Sequence, residues 1–291
     1  MSTPTDWFPS RYGADDRIGA LNNLSPKKTL GALKLVSQGK VYSLAVVSSA
    51  KLATYPGRSY EVDAYPLFEG TQGSNLLSGM DDRVIAHMGV GTQIDGFGHV
   101  GIGLRHYNGI PAHEVLCGKR AAIFGMQDFP PVVTRGVVLD IAAVRHVPML
   151  EAGFPINRTE IQAAMKRQQL HIGTGDVVLL HTGWMALMES DSKRFVEVEP
   201  GLSVDGALFL ADLGVVAIGA DNTALEHVPF ADPNRPYEVH QILLPRSGIY
   251  ILEYVVTAEL IRDQVHEFLF VLAPPRYDGT VQVTVNPVAV C

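Results

Sequence analysis

Residues 87–103 read HMGVGTQIDGFGHVGIG. Two histidines, a glutamine and an aspartate stand among glycines, so groups able to bind metal or move protons are crowded where there is little bulk. In an extended chain successive side chains alternate between faces. If residues 87–95 are extended, His87, Gly89, Gly91, Gln93 and Asp95 share one face, and Met88, Val90, Thr92 and Ile94 the other. The second face is apolar or β-branched and suits packing, while the first looks into a cavity or a site. Gly96 and Gly98 let the chain turn, so that His99 swings back toward Asp95. The pattern alone leaves two readings open: hydrogen-bonded core histidines at a glycine turn, or a metal or catalytic site.

Residues 96–101, GFGHVG, also match the dinucleotide fingerprint G-x-G-x-x-G. That motif needs a helix to start at its third glycine, so that the first amides face a pyrophosphate. Here the third glycine is followed by IGLRHYNGIP, with two more glycines and a proline, which is no helix start. The nucleotide reading is rejected.

The 291 residues are 47% apolar and 18% charged, enough for one large buried core. The net charge of -7, with scattered basic residues, excludes a nucleic-acid groove. Two cysteines, Cys117 and Cys291, build no disulfide framework and fit a reduced compartment. The N-terminal residues lack the apolar core of a signal peptide, and no run is long enough to span a membrane. A cytoplasmic location with no membrane partner is expected.

Periodicity predicts an α/β chain. Residues 1–24 form an arm rich in turn formers, and 25–291 one domain. Ser25-Pro26 starts a helix whose Leu30, Leu33 and Val36 recur at helical spacing until Gly39. Strands are expected at 41–47, 136–142, 175–184, 214–221, 248–255, 267–275 and, at an edge, 280–288. Helices are expected from a Thr159–Gln162 capping box to about Gln169, over Ser203–Leu213, and over 237–244. Residues 51–83 read as a long loop covering a site.

The stretch around Asp95 resembles the cyclase or kynurenine-formamidase-like family of metal-dependent hydrolases, whose signature is H-x-G-T-H-x-D-x-P-x-H. Gly91-Thr92, Asp95 and His99 match it; Gly89 and Gln93 stand where it has histidines, and Phe97 where it has proline. A G-T-Q-x-D variant is similar to a branch of longer members with an N-terminal arm. GDVVLLHTGW (175–184), GADNTALE (219–226) and VHQILLPRSGIYILEYV (239–255) also resemble ordered segments of the family. The resemblance implies a swivelling β/β/α fold, a homodimer or homotetramer, and a divalent ion, with Zn²⁺ the first expectation and Mn²⁺ the second. It implies Asp95 as the surest ligand, with His240 and Glu253 completing the cluster and His99 as acid or base. Gln93 offers only a neutral amide oxygen, and His87 on the same expected face compensates in part, so a single ion is expected.

Chemistry then follows from residue type. A divalent ion lowers the pKa of its water from 15.7 to roughly 7. His99, with Glu253 in reserve, suits protonation of a leaving nitrogen. Tyr107, Asn108, His181, Thr182 and Trp184 flank the matched segments and are expected to line a pocket. His113, His146, His171 and His266 fall in turns or helices and read as structural, and Asp221 either caps a helix or orients a ligand. Two classes of function remain. One is a hydrolase of a small amide, with a cyclic amide or imide as the first expectation and an aryl formamide or lactone as alternatives. The other is a non-catalytic member that binds a small carbonyl ligand.

Overall fold

The apolar runs in the second half of the chain become four adjacent parallel strands, Val132–Asp140, Val177–His181, Ala217–Ala220 and Tyr250–Glu253. They read as nearly unbroken runs because both faces are covered, a mark of parallel sheets; Val178, Leu179, Ile218 and Leu252 are all fully buried. In this computed structural model, which describes residues 7–291, antiparallel strands extend the group on both sides into a nine-stranded mixed sheet. On one side lie Glu267–Leu272, Val288–Val290 and Val41–Ser43. On the other lie Gln93–Asp95 and Gln282–Thr284.

Helices cover the sheet where apolar stripes require it. Pro26–Leu33 begins at Ser25, whose hydroxyl accepts the Lys28 amide at 3.2 Å, and packs on Val132–Asp140. Arg158–Gln168 packs on the same strand and on Val204–Asp212, which Ser203 caps. The expected capping box shifts by two residues: Glu160 accepts the Asn157 amide at 3.0 Å, and Asn157 precedes the first helical residue.

Three expectations from periodicity are corrected. First, residues 51–83 are not a plain loop, because Tyr60–Pro66 and Met80–Ala86 pair as an antiparallel hairpin. Val62, Tyr65, Met80, Val84 and Ile85 are exposed, so the hairpin has no buried face to imprint an alternating pattern. Second, residues 87–95 are not one extended strand. The chain turns at Val90, whose amide donates to the His87 carbonyl, and Gly91 takes φ +91°, leaving only Gln93–Asp95 in the sheet. Third, 280–288 is not one edge strand. Asn286-Pro287 interrupts it, and its halves lie in separate parts of the sheet order. The expected helix at 237–244 is a short turn, Glu238–Gln241, running into a π-helical segment, Ile242–Ser247.

The N-terminal segment is sewn to the sheet. Gly19 (φ +56°) lies against Gly248 (φ +63°), so close that a Cβ on Gly19 would meet the Gly248 carbonyl oxygen at 2.3 Å. Tyr107 donates to Asp16 at 2.7 Å, and the Asn108 amide donates to the carbonyls of Gly13 and Ala14. Among the described residues no helix is long and apolar enough to cross a membrane.

Candidate metal centre

In an open α/β sheet, ligands gather beyond the carboxyl ends of the parallel strands. Glu253 closes one such strand, and the short Gln93–Asp95 strand lies antiparallel beside it, with Gln93 opposite Glu253 and Asp95 opposite Ile251. Residues two apart share a face, so Gln93, Asp95 and Glu253 point the same way while Ile94 and Leu252 enter the core. The turn Glu238–Gln241 adds His240 from outside the sheet. Ligand atoms of Asp95, His240 and Glu253 all lie within 4.8 Å of one another, and all three residues are buried.

Bonding within this cluster is lopsided. Neither carboxylate oxygen of Asp95 has a hydrogen-bond partner, and neither does the Gln93 amide oxygen. The Gln93 orientation is set by chemistry, since only its NH₂ can donate to the Glu253 carboxylate, 2.5 Å away. His240 faces Glu226 through Nδ1 at 2.6 Å. Glu226 also accepts the His240 backbone amide at 3.2 Å, so it acts as an acceptor, and Nδ1 carries the proton. That leaves Nε2 facing the cluster, 3.4 Å from Glu253 Oε1 and 4.0 Å from Asp95 Oδ2.

Buried acceptors left unpaired cost free energy, and such groups are normally hydrogen-bonded or bound to a cation. Donors bound tetrahedrally to zinc stand roughly 3.3–3.6 Å apart; His240 Nε2 and Glu253 Oε1 stand at 3.4 Å, and His240 Nε2 and Asp95 Oδ2, at 4.0 Å, are somewhat wider. The imidazole and the carboxylates, with the glutamine oxygen beside them, fit a divalent cation. Glu226 is the carboxylate that such a histidine commonly holds with its other nitrogen.

Electrostatics agree with the need for a positive charge. Burial and the neighbouring Asp95 carboxylate push Glu253 up to about 7. Burial alone would depress the His240 imidazole, but hydrogen bonds to Glu226 and Glu253 outweigh it and raise the group to about 10. A cation replaces that proton on Nε2, so ion binding and protonation of His240 compete. His99 is the opposite case. Burial, with help from the charges of His240 and Arg58, holds it below the usual histidine range despite the pull of Asp95.

Beside the cluster lies a cavity of about 400 Å³ lined by Tyr55, Arg58, His99, Ala224, Tyr237, His240 and Glu253, among others. Residues Tyr55 and Arg58 come from the segment that was expected to cover a site. Arg58 Nη1 donates to the Gly89 carbonyl at 2.7 Å, and a Cβ on Gly89 would meet that nitrogen at 2.5 Å. Behind Ala224, Glu199 accepts from the Thr223 hydroxyl and from the amides of Thr223 and Ala224, and burial raises it to about 8. Arg58, Tyr237, Glu226 and Glu199 carried no assigned role in the sequence reading. Glu226 lies in the segment 219–226 that resembles the family, Arg58 in the stretch 51–83 and Tyr237 at the start of 237–244.

Other sequence candidates sit elsewhere. His87 is exposed, and its Nδ1 accepts the Ser59 amide at 2.9 Å, because the turn after it takes it off the Gln93–Asp95 face. Tyr107 and Asn108 anchor the N-terminal segment rather than a ligand. Thr182 donates to Asp221 and also binds the Trp184 amide; the Trp184 indole donates to the Phe195 carbonyl inside a satellite core with Tyr254. His181 pairs with Thr257 at 2.8 Å. Asp221 accepts the amides of Thr182 and Gly183 and so organises that turn. Phe97 stacks on Tyr250 with ring centroids 4.4 Å apart, which holds the turn between Asp95 and His99.

Replacing Glu226 with glutamine is expected to weaken ion binding about 10- to 100-fold, because the charged acceptor at Nδ1 becomes a neutral amide and His240 becomes a less basic ligand. Competition against a chromogenic chelator would measure it. Affinity equal to that of the unaltered protein would remove Glu226 from the centre.

Residues 42–227 match the Cyclase family model. Among solved structures, one described as a novel cyclase is similar at 26% identity with a TM-score of 0.86, covering 98% of this chain and 99% of that one. Isatin hydrolase A from Ralstonia solanacearum is similar in fold at 17% identity and a TM-score of 0.60, over 91% of this chain and 97% of its own. An isatin hydrolase bound to the product analogue thioisatinate is similar in fold at 14% identity and 0.63, over 91% and 98%. No curated protein sequence matches the chain.

Proposed function

The chain belongs to the cyclase family, and from its buried cluster we propose that it is a hydrolase dependent on one divalent cation, opening the C–N bond of a small cyclic amide or imide. The observation that carries this reading is the set of unpaired acceptors on Asp95 and Gln93 beside a histidine that Glu226 holds with its Nε2 turned to them. One imidazole with oxygen donors suits zinc and also tolerates manganese. Asp95, His240 and Glu253 would hold the ion, with Gln93 as a neutral fourth donor. When bound, it supplies Lewis acidity toward the carbonyl and acidifies water at neutral pH.

The chain's own residues do the rest. His99 is neutral near pH 7, so its imidazole accepts a proton from the attacking water and returns it to the departing nitrogen. Tyr55 and Tyr237 wall the cavity and limit water around the reacting groups. A volume near 400 Å³ suits a compact ring rather than a polymer. Support for a ring comes from the shared fold of the isatin hydrolases, since isatin is itself a cyclic amide. Ring strain or imide electronics also weaken the bond before the protein acts, so one ion and one proton-transferring histidine suffice.

The test compares kcat/KM for a succinimide or hydantoin ring with that for N-formyl-kynurenine, a simple lactone and a linear amide, with zinc or manganese added. The ring amide should be turned over fastest. Clear preference for the formamide or the lactone would move the assignment to that reaction. Binding without turnover of any member would leave a non-catalytic ligand-binding protein.

A further inference from the structure

The cavity beside the cluster contains a cation that no described carboxylate neutralises. Arg58 is half-buried; its contacts are the Gly89 carbonyl through Nη1 and the face of the Tyr55 ring, 5.4 Å from its guanidinium carbon. It has no ion pair among the described residues, although the cavity it lines also holds Glu253. Its charge reaches the reacting groups all the same, acting to lower both His99 and Glu253. Glycine at residue 89 leaves the space the guanidinium occupies, since a Cβ there would lie 2.6 Å from the guanidinium carbon. The chain therefore keeps a guanidinium in the cavity, tied at one nitrogen and aligned by an aromatic face. Its planar fork presents five N–H donors, of which the Gly89 carbonyl takes one.

We propose that Arg58 is a carboxylate-recognition residue, pairing its remaining donors with a ligand carboxylate held beside the Asp95–His240–Glu253 cluster. That carboxylate has two sources. It is either a substituent the substrate already carries or the group that hydrolysis makes: water adds to the ring carbonyl, a C–O bond forms and the C–N bond breaks, leaving a carboxylate and a neutral N–H group, with one proton of the water on that nitrogen and the other released to solvent. Only the second source rests on the hydrolase reading above. Tyr55 and the Gly89 carbonyl are then positioning groups that hold the fork in one plane. Arginine rather than lysine fits this role, since two parallel donors match the two oxygens of a carboxylate.

The direct test is calorimetric titration of the zinc-loaded protein with 2-aminobenzoate and with its neutral amide, 2-aminobenzamide. In Arg58→Met the carboxylate should bind about 10- to 100-fold more weakly, as expected for a lost charge-assisted hydrogen-bonded pair. The amide and the zinc stoichiometry should not change. Arg58→Gln, which keeps a donor for the Gly89 carbonyl without the charge, guards against a folding failure and should show the same loss. Arg58→Lys should recover part of the preference. A kinetic arm separates the sources by comparing 5-methylhydantoin with a hydantoin bearing a 5-carboxymethyl group. Preference for the charged ring that disappears in Arg58→Gln places the carboxylate on the substrate. Equal use of both rings, with product inhibition relieved in Arg58→Gln, places it on the product. Loss of zinc in Arg58→Gln, or equal weakening of acid and amide, overturns the proposal. If no ring is hydrolysed yet carboxylate binding still follows Arg58, the reaction assignment fails and the recognition role stands.

Discussion

Asp95→Ala is expected to abolish ion binding and to lower turnover by at least about 10³-fold, several kcal/mol of barrier at roughly 1.4 kcal/mol per decade. Asp95 is fully buried, and neither of its oxygens meets a donor. No neighbour replaces it, since Gln93 is neutral and its NH₂ is turned to Glu253. The same feature gives an independent readout in the ion-free protein. An unpaired buried carboxylate costs stability, so Asp95→Ala or Asp95→Asn should raise the ion-free melting temperature by a few degrees. Both variants should lose the stabilisation that added ion gives the unaltered protein. Higher intrinsic stability together with lost function marks a site whose strain is relieved by its ligand. An ordinary core aspartate would lower the melting temperature when removed. Thermal scans with and without zinc distinguish the two.

His99→Ala separates proton transfer from ion binding. It should retain the ion and lose about 10²–10⁴ in kcat, the usual share of a general acid–base group. The pH profile adds a sign. Burial holds His99 below the ordinary histidine range, which favours its neutral form. The unaltered protein should lose kcat/KM only as pH falls through that lowered pKa, and the alanine variant should lose that acid limb. Added imidazole should restore part of the rate. Loss of the ion in His99→Ala would make His99 a ligand.

Much of the fold is readable from residue patterns, and where it is not, the physical cause can be named. Strands buried on both faces, such as Val177–His181 and Tyr250–Glu253, announce themselves as apolar runs bounded by turns. The Tyr60–Pro66 and Met80–Ala86 hairpin does not, because it buries neither face and has no reason to alternate. His87 was aligned with Asp95 by a period-two count that assumes continuous extension, and the positive φ at Gly91 breaks that count. Gln93 and Asp95 kept their shared face, since they alone remain in the strand.

Asp95, His240 and Glu253 are implied by the family resemblance, and nothing local in the sequence shows why they converge. Convergence comes from topology: the short Gln93–Asp95 strand inserts between Tyr250–Glu253 and Gln282–Thr284. Glu226 serves His240 across 14 residues, and Arg58 reaches Gly89 across 31, so neither pairing leaves a periodic trace. Tyr107 and Trp184 illustrate the converse error. Tyr107 lies beside a matched segment and Trp184 ends one, but a buried aromatic with a polar tip needs a partner, and each finds it in the protein itself. Sequence proximity to a motif therefore says less about pocket lining than the fate of each polar atom does.

Elemental analysis of the active protein, paired with assays after chelation and reconstitution, tests the central claim most directly. One divalent transition-metal ion per chain is predicted, with activity lost on chelation, restored in proportion to bound zinc or manganese, and absent from Asp95→Ala, which should carry no ion. Full activity in protein that holds no such ion, or one ion per chain in Asp95→Ala, would contradict it.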